Sequence, residues 1–179
     1  KDSLSRYINA ATGRGALGQL AGAAVPLNTV FFSPRLIASR LSLLNPIFYT
    51  KLHPAVRKNA VRDLMVLSSA GATLLGLSKL SGHEVGTDPR SADFGKIKIG
   101  DTRYDIWGGF QQYVVAATRL LTGEQISSVT GREISLGEGF KPTTRRDILV
   151  RMMESKLSPI ASLANDILKG KDITGRPIN

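Results

Sequence analysis

The chain has 179 residues, 42% of them hydrophobic and 21% charged, enough apolar material for one domain or two small helical lobes and outside the composition of disordered chains. Twenty-four lysines and arginines against 14 acidic residues give a net charge of +10, a field that concentrates polyanions such as nucleic acid or anionic lipid. The absence of cysteine excludes disulfides, thiol nucleophiles and cysteine-based metal sites.

The opening from Lys1 shows none of the regions of a signal peptide, and the chain is expected to be a segment of a longer protein. Asp2 or Ser3 can cap a first helix through Ala11, which Thr12-Gly13-Arg14-Gly15 breaks. A second short helix is expected over Ala16 to Ala24, ended by Pro26, with an apolar stretch from Asn28 to Phe32. Ser33-Pro34 then supplies an N-cap and a proline at the first helical position, and the helix stops at Asn45-Pro46.

The longest predicted helix runs from Pro54 to Leu80, with Arg57, Lys58 and Arg62 in its first turns. From Leu64 to Ser78 it carries no charge. That stretch is short of the ~20 apolar residues of a membrane span and contains three serines and two glycines, which favours a buried core helix. Ser68, Ala72 and Gly76 recur every fourth residue and predict a flat stripe at a close helix–helix contact.

Beyond a loop from Ser81 to Ala92, the alternation over residues 96–107 predicts a β-hairpin turning at Gly100-Asp101, resting on neighbouring helices through Ile97, Ile99 and Trp107. A helix follows from Phe110 to Leu121, ended by Thr122-Gly123. Residues 124–141 read as irregular, with an extended piece at Arg132 to Leu136. Pro142-Thr143-Thr144 opens a helix to about Leu157 that carries Ile148, Leu149, Met152 and Met153. Ser158-Pro159 starts the last helix, Gly170 stops it, and a turn-rich tail holds Asp172 to Ile178. The expected fold is mainly α, a helical bundle-like domain with one small hairpin.

No catalytic or metal constellation emerges. His53 and His83 stand at opposite ends of a helix about 40 Å long, so they read as capping or surface residues and not as a ligand pair. Thr12-Gly13-Arg14-Gly15 lacks the Gly-Lys-Ser/Thr ending of a phosphate loop and has no strand before it. Asp101, Asp105 and Glu124 show none of the regularity of a calcium loop or a metal-dependent nuclease. Arg57, Lys58, Arg62, Arg145 and Arg146 can contact phosphate, but no aromatics interleave with them for base stacking, and each also reads as part of a solvated helix face. An enzyme is not expected, and no cofactor or metal is assigned.

Three blocks carry a resemblance: Ile8 to Gly15, Phe31 to Arg40 with Asn45-Pro46, and above all Lys98-Ile-Gly-Asp-Thr-Arg-Tyr-Asp-Ile-Trp-Gly-Gly-Phe-Gln-Gln-Tyr113. Together they resemble the large polyvalent protein-associated domains of very long phage and prophage proteins, over residues 1–125. The tail Gly170 to Ile178 fits the same kind of protein. Residues 126–179 are then expected to form an irregular linker, C-terminal helices and tail of the same domain. The resemblance implies a protein packaged in the virion interior and ejected with the genome into the host cell. It brings no catalytic residues to carry over.

Two functions follow. One is a structural or interaction module that contacts other segments of its parent polyprotein, portal, capsid or sister subunits, with homo-oligomers among the options. The other is non-specific DNA binding. Membrane contact during ejection, resting on Leu64 to Ser78, ranks behind both.

Overall fold

A computed structural model describes residues 2–139, 142–171 and 176–177. Among these residues lie eight α-helices and five short strands, so the chain is mainly α. In chain order they are α1 (Asp2–Ala11), α2 (Ala24–Val30), α3 (Pro34–Leu44), α4 (Pro46–Thr50), α5 (Pro54–Leu80), β1 (Glu84–Val85), β2 (Lys96–Ile99), β3 (Thr102–Asp105), α6 (Gln111–Thr122), β4 (Glu124–Ile126), β5 (Glu133–Ser135), α7 (Arg145–Glu154) and α8 (Pro159–Lys169). The chain divides into two units, one of residues 1–56 with 150–179 and one of residues 57–149.

In the first unit, α1 and α3 cross closely because Gly15 has no side chain. The Gly15 amide donates to the Arg35 carbonyl at 3.1 Å, and a Cβ at Gly15 would stand 2.3 Å from the Ser39 nitrogen, inside the backbone of α3. Buried Ser39 donates its hydroxyl to the carbonyl of buried Ala10 at the same crossing. The unit's two sequence segments meet where Phe31 bridges Leu157. There the Phe32 amide donates to Lys156 at 2.7 Å and the Ser158 amide to Val30 at 2.8 Å.

Several helix signals act differently from the expectation. The segment after Arg14 forms a 3-10 turn over Gly18–Ala23 that runs directly into α2, and Pro26 lies in the first turn of α2 and does not end a helix. Proline fits there because the first turn has no intrahelical acceptor for its missing N–H. Ser33 precedes α3 in a left-handed conformation (φ 51°) and makes no side-chain cap. Asn45 both ends α3 and starts the unforeseen α4, accepting from the Ile47 amide at 2.9 Å. Ser158 and Gly170 behave as expected: the Ser158 hydroxyl accepts from the Ala161 amide at 3.2 Å, and Gly170 closes α8 at φ 63°.

In the second unit the hairpin forms with the expected register, Ile99 opposite Thr102 around Gly100-Asp101. β1 adds a third antiparallel strand, Val85 opposite Ile97. Ile97 is buried, but Ile99 is exposed, because the strand ends there and nothing covers its last apolar position. Trp107 is half-buried, its indole N–H donating to the Gly95 carbonyl at 2.9 Å. Its ring lies on α5 at Gly71, where a Cβ would stand only 2.4 Å away. Gln111, Tyr113, Val115 and Ala116 of α6, Ile148 of α7, Ala60 of α5 and Ser91 are also buried, while Leu149 and Met153 of α7 are exposed. The extended piece expected at Arg132 to Leu136 is β5, paired with β4. Residues 140–141 and most of the expected tail, 172–175 and 178, lie outside the described residues.

Candidate functional site

The dominant surface feature is α5. It is long and apolar enough to cross a membrane, yet only 6% of its apolar window is buried. The expectation of a core helix is therefore not met within this chain: Ala60 is its one fully buried residue. Leu64, Met65, Val66 and Leu67 are four consecutive exposed residues and, at 100° per residue, occupy every side of the helix. Among the described residues of its unit, no other helix or strand lies along α5. Gly71, Leu75 and Ser78 are half-buried on the side that meets Trp107.

Among the described residues of this unit, no helix makes the expected contact at Ser68, Ala72 and Gly76. All three are exposed, and a Cβ at Gly76 would meet nothing within 4 Å. The close approach falls on Gly71 instead, because a flat indole needs one missing side chain and not a stripe of small ones.

The five cations singled out for phosphate contact are split between α5 and α7. Arg57 is half-buried, whereas Lys58 and Arg62 are exposed. The Nε of Arg62 lies 3.9 Å from Asp63, a pair of exposed groups that contributes little. Arg145 Nε donates to the Leu120 carbonyl at 3.0 Å and so caps the C-terminal end of α6, where the helix dipole favours a cation. Arg146 is exposed beside it on α7. Of the histidines, His53 is exposed just before α5 and its Nδ1 accepts from the Ala55 amide at 3.4 Å, a capping arrangement.

A second charged constellation went unremarked in the sequence. The Arg90 guanidinium donates to Asp88 at 2.9 Å, to Glu133 at 2.8 Å and to Glu124, while the Arg90 carbonyl accepts from Arg119 at 2.7 Å. These bonds hold Arg90 far above its ordinary pKa and lower that of Asp88, chiefly through the Arg90 hydrogen bond. Glu124 and Glu133 lie 34 and 43 residues downstream, so no local spacing announces the cluster.

In the same unit, Glu84, Asp93, Lys96, Lys98 and Arg103 line an open cleft of about 300 Å³. Lys98 pairs with Glu84 and Arg103 with Asp93, each at 2.9 Å, and the Lys98 hydrogen bond lowers the Glu84 pKa. Two of the three cations are matched by carboxylates, which leaves only a small positive excess to pull on phosphate. The alternation Lys96-Ile97-Lys98-Ile99 already places both lysines on one face of the sheet.

No protein-family model, curated protein or solved structure gives a significant match to this chain.

Proposed function

We propose that this chain is a structural, protein-interaction module of a larger phage protein carried in the virion and ejected with the genome. The observation that supports an interaction module is the orientation of α8. Its half-buried side is made of Ala161, Ser162, Asn165 and Asp166, and its large apolar residues point the other way. Ile160, Leu163 and Ile167, spaced i, i+3, i+7, are exposed by 76%, 60% and 63%. One narrow apolar stripe of this kind is what a protein groove or a partner helix covers. The resemblance of the Lys98–Tyr113 block supplies the phage assignment, with portal, capsid or sister subunits as the partners.

Cross-linking of intact particles followed by peptide mapping tests this reading. Lys169, at the end of α8, is expected to link to a particle protein, and Ile160→Asp with Leu163→Asp should remove that link. Purified particles that lack the chain would sink the proposal. A second reading, non-specific DNA binding, draws on the +10 charge and on exposed Lys58, Arg62 and Arg146. Cross-links to DNA alone would favour it.

A further inference from the structure

We propose that α5 is a membrane-inserting helix, its charge-free stretch from Leu64 to Ser78 entering the hydrocarbon layer of an anionic bilayer. The argument is independent of the phage reading and of the α8 stripe. A helix apolar on all sides must be enclosed on all sides, by a protein core or by lipid. No core encloses α5 here, since 6% of its apolar window is buried. A second helix would cover one stripe about 100° wide, whereas Leu64, Met65, Val66 and Leu67 expose apolar surface in every direction. Lipid is the partner whose chemistry matches that distribution.

The ends match as well. Arg57, Lys58 and Arg62, against the single carboxylate of Asp63, precede the stretch and Lys79 follows it, so a net positive charge stands where anionic headgroups would lie at both limits. The stretch is about 22 Å long at 1.5 Å per residue, and snorkelling of Arg62 and Lys79 extends the span it can serve toward the hydrocarbon thickness of about 30 Å. Ser68, Ser69, Thr73 and Ser78 are compatible with this, because a helical hydroxyl can bond back to the preceding turn, as Ser78 does to the Leu74 carbonyl at 2.8 Å. Insertion takes Gly71 from beneath the Trp107 ring, so the chain's single tryptophan reports the event.

Flotation of the full chain with vesicles of phosphatidylcholine and phosphatidylglycerol is the test, read together with Trp107 emission. The chain is expected to float with the vesicles, to stay bound after a high-salt wash, and to change its Trp107 emission on binding. Leu67→Asp with Leu74→Asp, both at exposed positions, should leave the helical circular dichroism intact and lower the bound fraction by more than about tenfold. Ile160→Asp with Leu163→Asp on α8 should leave binding unchanged. A chain that stays in solution, is released by salt, or binds equally well with Asp at 67 and 74 would overturn the proposal. So would loss of binding in the α8 variant. A defined oligomer formed without lipid and abolished by Leu67→Asp would assign the face to a second copy and overturn it too.

Discussion

Helices α5 and α6 belong largely to the same unit, and the one that carries the charge-free run from Leu64 to Ser78 is the one left bare. The first half of α6 is enclosed at Gln111, Tyr113, Val115 and Ala116, while α5, with a charge-free run, is almost bare. Polar side chains make the difference. Gln111 donates to the Ala92 carbonyl at 2.9 Å, Arg119 to the Arg90 carbonyl at 2.7 Å, and Arg145 reaches the last turn of α6 from outside. Each of those bonds ties α6 to a loop or a helix end. The apolar run of α5 carries only short hydroxyls, of which Ser78 bonds back to the Leu74 carbonyl of its own helix at 2.8 Å, and Trp107 touches it at Gly71. Hydropathy says how much a helix gains from being covered; directional polar contacts decide whether its own chain does the covering.

The sharpest way to break this comparison is to place the same charge on both helices. Val115→Asp buries an unpaired carboxylate and is expected to cost about 3–5 kcal/mol in denaturant unfolding, whereas Val66→Asp on exposed α5 should cost under about 1 kcal/mol. Equal losses would mean that α5 is buried after all. Next in size is glycine. Gly71→Leu drives a side chain into the Trp107 ring and should destabilise by about 1–3 kcal/mol. Gly76→Ala meets open space and should stabilise the helix by up to about 1 kcal/mol.

A smaller effect sharpens the role of the basic end of α5. Alanine at Arg57, Lys58 and Arg62 together should weaken binding to random duplex DNA at low salt and make its salt dependence shallower by up to roughly three phosphate contacts. Tight binding that survives physiological salt and is lost with Arg145→Ala and Arg146→Ala would instead make nucleic acid the principal partner.

The smallest effect concerns pH, because the polar ties around Arg90 rest on carboxylates. Asp88, through its hydrogen bond from Arg90, and Glu84 on the neighbouring strand, through that from Lys98, have lowered pKa values in the folded chain. Their contribution is thus present above the ordinary carboxylate range near 4 and is lost as pH falls through the folded values. Acid titration of the unfolding midpoint should show this loss, and Asp88→Asn should flatten part of it.

Where local chemistry decides, the sequence was readable. Pro54, Gly100-Asp101, Gly123, Ser158-Pro159 and Gly170 each fix a start, turn or stop through their own backbone or hydroxyl, and each does so in the structure. Pro26 was misread because proline ends one helix and opens another with the same geometry, and only the path of the preceding 3-10 turn tells which. Burial was not readable. Neither the enclosure of α6 nor the exposure of Ser68, Ala72 and Gly76 is a property of those residues alone; each depends on what distant segments bring to them. The basic residues were visible as a set, but the capture of Arg145 by Leu120 and of Arg90 by Glu124 and Glu133 depends on pairings 25 to 43 residues apart.

The Arg90 cluster also bears on how the chain would be digested. Trypsin draws a lysine or arginine into a deep acidic pocket and needs the neighbouring backbone free to lie in its cleft. At Arg90 the guanidinium is already held by three carboxylates, the carbonyl of the scissile bond accepts from Arg119 at 2.7 Å and Ile126 at 3.2 Å, and Ser91 on the other side is buried. Of the chain's lysines and arginines, Arg90 should therefore be among the last to be cut. A nick there would mark the opening of the hairpin unit itself.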